Sequence, residues 1–221
     1  MVQVKVCGIK KEEDAKWAVS LGADILGFIF KSDNPRYISA QLAKKIIKTF
    51  PPFVFAAGVF FDEDPLVIKK IAKSCGLKMV QLNGSETPEY CLNLKTILSS
   101  VDSSIKIMKY FKLQNESPLQ IAAYRTQENP VIDYILADAF NEGTAEAKEN
   151  SFLWDSAIKA KEYGPVFLAG GLNAENVVKA IQYVRPYGVD VSREIESDDM
   201  AIGRKDYEKM RNFIKKVKSI F

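Results

Sequence analysis

Short apolar runs, each closing at a glycine or polar turn and each followed by a stretch of helical spacing, recur eight times along this chain of 221 residues. A strand followed by a helix brings the chain back to the end it left, so successive strands lie parallel. Parallel sheets are covered on both faces, and their strands read as unbroken apolar runs. The spacing predicts strands over 2–6, 24–30, 53–60, 78–82, 105–111, 133–139, 165–169 and 188–192. It predicts helices over 12–21, 39–50, 65–75, 87–98, 118–128, 154–163, 173–184 and 206–220, with Ser39, Pro65 and Pro88 at their starts and Gly22 and Gly76 at two of their ends. Eight such units in about 200–250 residues fit a closed barrel, the α/β single (β/α)8 TIM barrel, better than an open sheet. No composition shift marks a second unit, so one domain over 1–221 is expected. In such a barrel the working groups stand at the C-terminal strand ends and the loops that follow them.

Composition narrows the chemistry. The chain has no histidine, which excludes histidine acid–base or metal chemistry. Its three cysteines, Cys7, Cys75 and Cys91, are odd in number and unpaired in spacing, and read as reduced thiols rather than a disulfide frame or zinc site. A net charge of +3 is mild, and its lysines alternate with glutamates on helix faces, so nothing points to nucleic acid. No apolar run reaches membrane-spanning length and MVQVKVCG lacks a signal-peptide layout, so a cytoplasmic protein without membrane association is expected.

The strand ends then supply candidates. The run 165–169 ends at Gly170-Gly171, followed by Asn173 and helical spacing. Paired glycines let backbone N–H groups approach an anion, and the helix start adds a positive dipole end. A plain strand–helix turn has the same outline. Ser192 and the N–H groups after it, including that of Arg193, sit where barrels often complete a phosphate cup. Cys7 ends the first strand with Lys5 on the same side by period two, and an ammonium there favours thiolate over thiol. An inert buried cysteine is the competing reading. Asp138 closes the sixth strand, where poor solvation raises a carboxyl pKa and suits a general acid, though a loop cap is the alternative. Arg36 can fork a carboxylate or be a surface charge. Asn83 and Lys109 end two further strands.

In VKVCGIKKEEDAKWAVSLGADILGFIF, NPRYIS, AAGVFF, VQLNGSE, YILADAF, FLAGGLNAENV, GVDVS and the later GRKD, the sequence resembles the phosphoribosylanthranilate isomerase family over nearly its whole length. The resemblance implies an Amadori rearrangement of a phosphorylated small molecule, phosphoribosylanthranilate, in tryptophan biosynthesis, with no cofactor or metal, by a monomer or homodimer. It assigns Asp138 as general acid and Cys7 as general base. It assigns Arg36 to the anthranilate carboxylate, and Gly170, Gly171, Asp190 and Ser192 to the phosphate region. Lys5 and Arg193 complete the substrate-binding set.

Four departures from the family pattern carry expectations. Glu194 stands where Ser-Ser-Gly-Val-Glu has glycine. It brings a carboxylate towards the phosphate seat, a repulsion of about 1 kcal/mol or more, which Arg193 can offset by facing the phosphate. Glu142-Gly143-Thr144-Ala145 replaces a Gly-Gly-Thr-Gly loop, and the run from there to Trp154 is longer. Asn83 replaces a histidine. Tyr110 follows Lys109 where a small residue is common. Two other readings remain: a phosphosugar isomerase of histidine biosynthesis, disfavoured because Cys7 and Lys109 occupy the places of its carboxylates, and a barrel that has lost catalysis and serves as a phosphosugar-binding or partner subunit.

Overall fold

A computed structural model describes residues 1–114, 118–125, 130–139, 151–198 and 202–220. Eight strands close into one barrel in sequence order. They are β1 (Gln3–Val6), β2 (Ile25–Ile29), β3 (Phe55–Phe60), β4 (Met79–Leu82), β5 (Lys106–Lys112), β6 (Tyr134–Asp138), β7 (Val166–Ala169) and β8 (Gly188–Val191). Every pairing is parallel, including β1 with β8, which closes the cylinder. The helices that follow are α1 (Glu12–Leu21), α2 (Ala40–Ile47), α3 (Pro65–Cys75), α4 (Pro88–Ser99), α5 (Pro118–Ala122), α6 (Ser151–Ala160), α7 (Val177–Val184) and α8 (Tyr207–Lys218). The expected α/β TIM barrel is the fold found. The polar loop 141–151 lies almost wholly outside the described residues, as does the expected end of α5 near residue 128.

Two layers of apolar packing hold the barrel. Outward strand residues such as Val4, Val6, Leu26, Phe28, Val80, Ile107, Ile135 and Leu168 pack under helix residues such as Ala15, Ile68, Leu94, Ala157, Ile181 and Phe213 in one continuous core. Inside the barrel, Ile25, Ala57, Met79, Met108, Leu136, Phe167 and Ala169 fill the lower layers. Above them Cys7, Ile29 and Val59 form the floor of the open end. Strand residues alternate between these two layers because successive side chains point to opposite faces. The same alternation turns Lys109 outward, where it pairs with Glu86 at 3.1 Å and donates to the Gly84 carbonyl at 2.7 Å. Tyr110 is therefore the inward-facing β5 residue after Met108, and Lys109, singled out as a strand-end candidate, does not face inward.

Helix starts follow the sequence signals. Ser39 accepts from Leu42 N–H, Asp64 from Leu66 N–H and Thr87 from Tyr90 N–H, each satisfying a donor of the first turn. The start of α7 differs from expectation. Asn173 Oδ1 accepts from the N–H groups of Glu175 and Asn176 in a turn, and the helix begins only at Val177. Asn side chains bond nearby backbone in this way and so delay a helix.

Candidate active site

The C-terminal strand ends open onto a cleft of about 470 Å³. Cys7 reaches it from the end of β1, Arg36 from the β2–α2 loop and Asp138 from the end of β6. Gly170 and Gly171 follow β7, and Asp190, Ser192 and Arg193 come from β8 and the turn after it; all of these line the cleft. Asn83, Gln81, Tyr110 and Glu194 line it as well. Of the residues singled out from sequence, Lys5 and Lys109 do not. Lys5 lies one inward position below Cys7 and is fully buried.

Barrel closure sets the lower charge pair. Lys5 of β1 is in register with Asp190 of β8, and Lys5 Nζ stands 2.8 Å from Asp190 Oδ1. Burial alone would lower the Lys5 pKa; the Asp190 carboxylate and the Cys7 sulfur outweigh it and hold the ammonium charged above its ordinary range. At Cys7 burial outweighs the ammonium that the sequence placed beside it. Its burial raises the thiol pKa more than Lys5 and Lys205 lower it, and Asp190 adds to the rise. Lys5 does stand beside the sulfur, but its charge is shared with a carboxylate, so the free site favours thiol.

On the opposite wall, Tyr110 donates its hydroxyl to Asp138 Oδ2 at 2.8 Å. Asp138 is half-buried, and β6 delivers it after an unbroken apolar run, Ile135–Ala137. Gln81 Nε2 donates to Asn83 Oδ1 at 2.8 Å at the C-terminal end of β4.

Arg36 is no surface charge. Its Nε donates to Glu196 Oε1 at 2.6 Å and its Nη2 to Glu196 Oε2 at 2.9 Å, a planar two-bond fork. Buried Lys205 donates to the same Glu196 Oε1 at 3.2 Å and to the Ser192 carbonyl at 2.9 Å. Burial would raise the Glu196 pKa, but Arg36 and Lys205 overcome it and hold the carboxyl below its usual range. Burial brings the Lys205 pKa below its ordinary value despite Glu196. Glu196 and Lys205 were not singled out from sequence. They meet Arg36 across 160 and more residues, through an antiparallel bridge between Glu196 and Lys205.

The glycine pair expected to seat an anion is shaped by its backbone. Gly170 and Gly171 have φ of 93° and 65°, a left-handed path that strains any residue with a Cβ. Asn176 Nδ2 donates to the Gly171 carbonyl and its Oδ1 accepts from Asn173 N–H, which fixes the loop. Ser192 donates its hydroxyl to the Cys7 carbonyl at 3.1 Å and starts a 3-10 turn, Arg193–Ile195. Arg193 and Glu194 are both exposed and both border the cleft. Among the described residues no group of three His, Cys, Asp or Glu is placed to hold a metal ion, and no helix is long and apolar enough to cross a membrane.

A family model described as N-(5'phosphoribosyl)anthranilate (PRA) isomerase matches residues 4–216. The chain belongs to this family. The N-(5'-phosphoribosyl)anthranilate isomerase of Trichlorobacter lovleyi is 40% identical over 223 positions, covering 99% of this chain and 98% of its own. That of Geobacter metallireducens is also 40% identical, covering 99% of this chain and all of its own. The crystal structure of phosphoribosyl anthranilate isomerase from Thermotoga maritima superposes with a TM-score of 0.80 at 35% identity over both full chains. A phosphoribosyl anthranilate isomerase in complex with reduced 1-(o-carboxyphenylamino)-1-deoxyribulose 5-phosphate gives 0.78 at 34% identity, again over both full chains.

Proposed function

We propose that this chain converts N-(5'-phosphoribosyl)anthranilate to 1-(2-carboxyphenylamino)-1-deoxyribulose 5-phosphate, an aldose–ketose isomerisation of tryptophan biosynthesis. The observation that carries the reading is that Cys7 and Asp138, from β1 and β6, border one cleft that also holds a glycine-pair anion seat and a forked arginine. Asp138 acts as general acid and gives its proton to the ring oxygen. The bond from that oxygen to C1 breaks, and the nitrogen lone pair forms an iminium. Cys7, as thiolate, takes the proton from C2; that electron pair forms a C1–C2 double bond and neutralises the nitrogen. The enolamine then gains a proton at C1 and loses its hydroxyl proton, leaving a ketone at C2. Solvent carries the proton from Cys7 back to Asp138, so the reaction is an isomerisation with no net gain or loss. The substrate's own nitrogen is the electron sink, and no cofactor enters.

The raised thiol pKa fits this order of events. A cation close to a thiol favours its thiolate. The iminium formed by the first step therefore activates the base needed for the second. Arg36 receives the substrate carboxylate. The N–H groups around Gly170, Gly171 and Ser192, with Arg193, receive the phosphate, and Lys5 and Asp190 sustain the charge balance beneath it. The protein acts as a monomer or homodimer, without nucleic acid or membrane; a Thermotoga maritima relative is described as dimeric. Freshly prepared phosphoribosylanthranilate incubated with purified protein tests the reading. Formation of the ketose phosphate is expected, and none at micromolar enzyme overturns it.

A second reading, a phosphosugar-binding barrel without catalysis, is favoured by one observation: the exposed Glu194 carboxylate on the cleft border, where family members have glycine. It expects ligand binding without product in the same assay.

A further inference from the structure

Arg36 has two faces on which a carboxylate can dock side-on or end-on, and the protein already uses one of them. The Nε–Nη2 edge is filled by Glu196, with bonds of 2.6 and 2.9 Å. Among the described residues Nη1 has no partner, and Arg36 borders the cleft with its side chain 16% exposed. Glu196 is itself fixed from behind. Its Oε1 accepts from Lys205, whose side chain is wholly buried, and its backbone bridges that of Lys205. The Arg36 stem is confined from the barrel side by Gly8, where a Cβ would stand 2.9 Å from Arg36 Cδ and 3.3 Å from Ser192 Oγ. A long flexible side chain held at its stem and at one edge of its fork has little freedom left to lose on binding.

We propose that Glu196, backed by Lys205, is a positioning residue that holds Arg36 by its Nε–Nη2 edge and so presents the Nη1 end of the guanidinium to the substrate carboxylate. Glu196 touches no substrate. It selects for a ligand that carries a carboxylate, by fixing the arginine that meets it. The inference rests on the reading of Arg36 given under the proposed function. It adds that the arginine is pre-set by a carboxylate and an ammonium that sequence alone leaves unconnected to it. Such an interaction lies away from the reacting carbons, so it binds substrate and transition state alike and its loss acts on KM more than on kcat.

The test compares two ligands on three proteins. The ligands are reduced 1-(o-carboxyphenylamino)-1-deoxyribulose 5-phosphate and its phenylamino analogue without the carboxylate, bound by calorimetry. The proteins are the native chain, Arg36→Met and Glu196→Gln. The native chain is expected to prefer the carboxylate ligand, and Arg36→Met to lose that preference. Glu196→Gln is expected to lose at least tenfold of it, with both ligands still bound through the phosphate and with KM for phosphoribosylanthranilate raised more than kcat is lowered. If Glu196→Gln fails to fold because Lys205 is left unpaired, the Glu196→Gln/Lys205→Met pair removes both buried charges and is expected to show the same loss. Lys205→Met alone is expected to show a smaller loss, and Glu196→Asp to recover part of the preference. A folded Glu196→Gln or paired variant that discriminates as the native chain does, while Arg36→Met does not, overturns the positioning role and leaves Arg36 as the clamp. An Arg36→Met chain that keeps the native preference overturns the clamp and the positioning role together.

Discussion

Replacing Lys5 by methionine tests the lower charge pair beneath the cleft. The substitution keeps an unbranched apolar stem and deletes the ammonium 2.8 Å from Asp190. Lys5 is fully buried and the Asp190 side chain is 10% exposed, so cleft water replaces the lost partner only in part. Breaking a buried pair on one side leaves an uncompensated charge and costs about 3–5 kcal/mol. For a chain of this size that corresponds to a fall in Tm of roughly 10 °C. The loss carries a pH signature. Burial already acts to raise the Asp190 pKa, and Lys5 is the chief group opposing it. With Lys5 in place the folded Asp190 pKa already stands above its ordinary value, and without Lys5 it rises further. Stability of the variant then rises as pH falls through the raised Asp190 value, and the gap to the native chain is smaller at pH 5 than at pH 8. The same change removes the largest influence that lowers the Cys7 pKa, so the thiol moves further up. Urea titrations at the two pH values, with thiolate absorbance read as a difference against Cys7→Ser, check both halves. A variant within about 1 kcal/mol of native at pH 8, with an unmoved thiol, would refute the electrostatic reading of this layer.

Other outcomes follow from the same charges and contacts. The thiols of Cys7 and Cys75 are pushed up and that of Cys91 reaches about 12, while Tyr134 also lies near 12, in each case first through burial. Because the folded chain keeps protons that the unfolded chain releases, this stability is complete below the ordinary thiol range and falls as pH rises from there towards 12; thermal melts across that range should show a steady loss, and a flat profile would contradict it. The same shift in Cys7 makes kcat/KM climb on the alkaline side of neutrality, and a plateau already reached at pH 7 would contradict it. At Gly27, a Cβ would stand 2.7 Å from Cys7 Sγ and 3.2 Å from Cys7 Cα. Gly27→Ala should therefore destabilise by about 1–3 kcal/mol and cut kcat at least tenfold; native-like values in both would show that the β1–β2 contact has room to spare. Glu194→Gly removes a carboxylate from the cleft border and should tighten competitive inhibition by inorganic phosphate several-fold, whereas an unchanged inhibition constant would place Glu194 away from the anion.

The barrel was legible because each strand is an apolar run bounded by turn residues and several helices carry their own start or stop signal. Ser39, Asp64-Pro65 and Thr87-Pro88 behave in the structure as local rules expect. Period-two reasoning correctly put Lys5 and Cys7 on one side of β1, and strand-end reasoning gathered Cys7, Asp138, Gly170, Gly171 and Ser192 around one space. What sequence could not supply was the sum of opposing effects. The Cys7 thiol pKa depends on whether burial or Lys5 wins; burial wins, and Asp190, 185 residues from Lys5 and aligned with it only by closure of β8 on β1, adds to the rise. Lys109 looked like a cleft residue because it ends a run, but alternation turns it out to Glu86 and gives the inward place to Tyr110. Glu196 and Lys205 escaped notice because charged residues in loops are common, and only the folded chain brings them to Arg36.

The central claim is that one sulfur and one carboxyl act on the same bound sugar. It is tested most directly by turnover and ligand binding in Cys7→Ser and Asp138→Asn, measured side by side. Each variant should lose about 10²–10⁴ of kcat, the usual worth of a positioned acid or base, while binding reduced 1-(o-carboxyphenylamino)-1-deoxyribulose 5-phosphate within a few-fold of the native chain. Either variant turning over substrate at the native rate would contradict the claim.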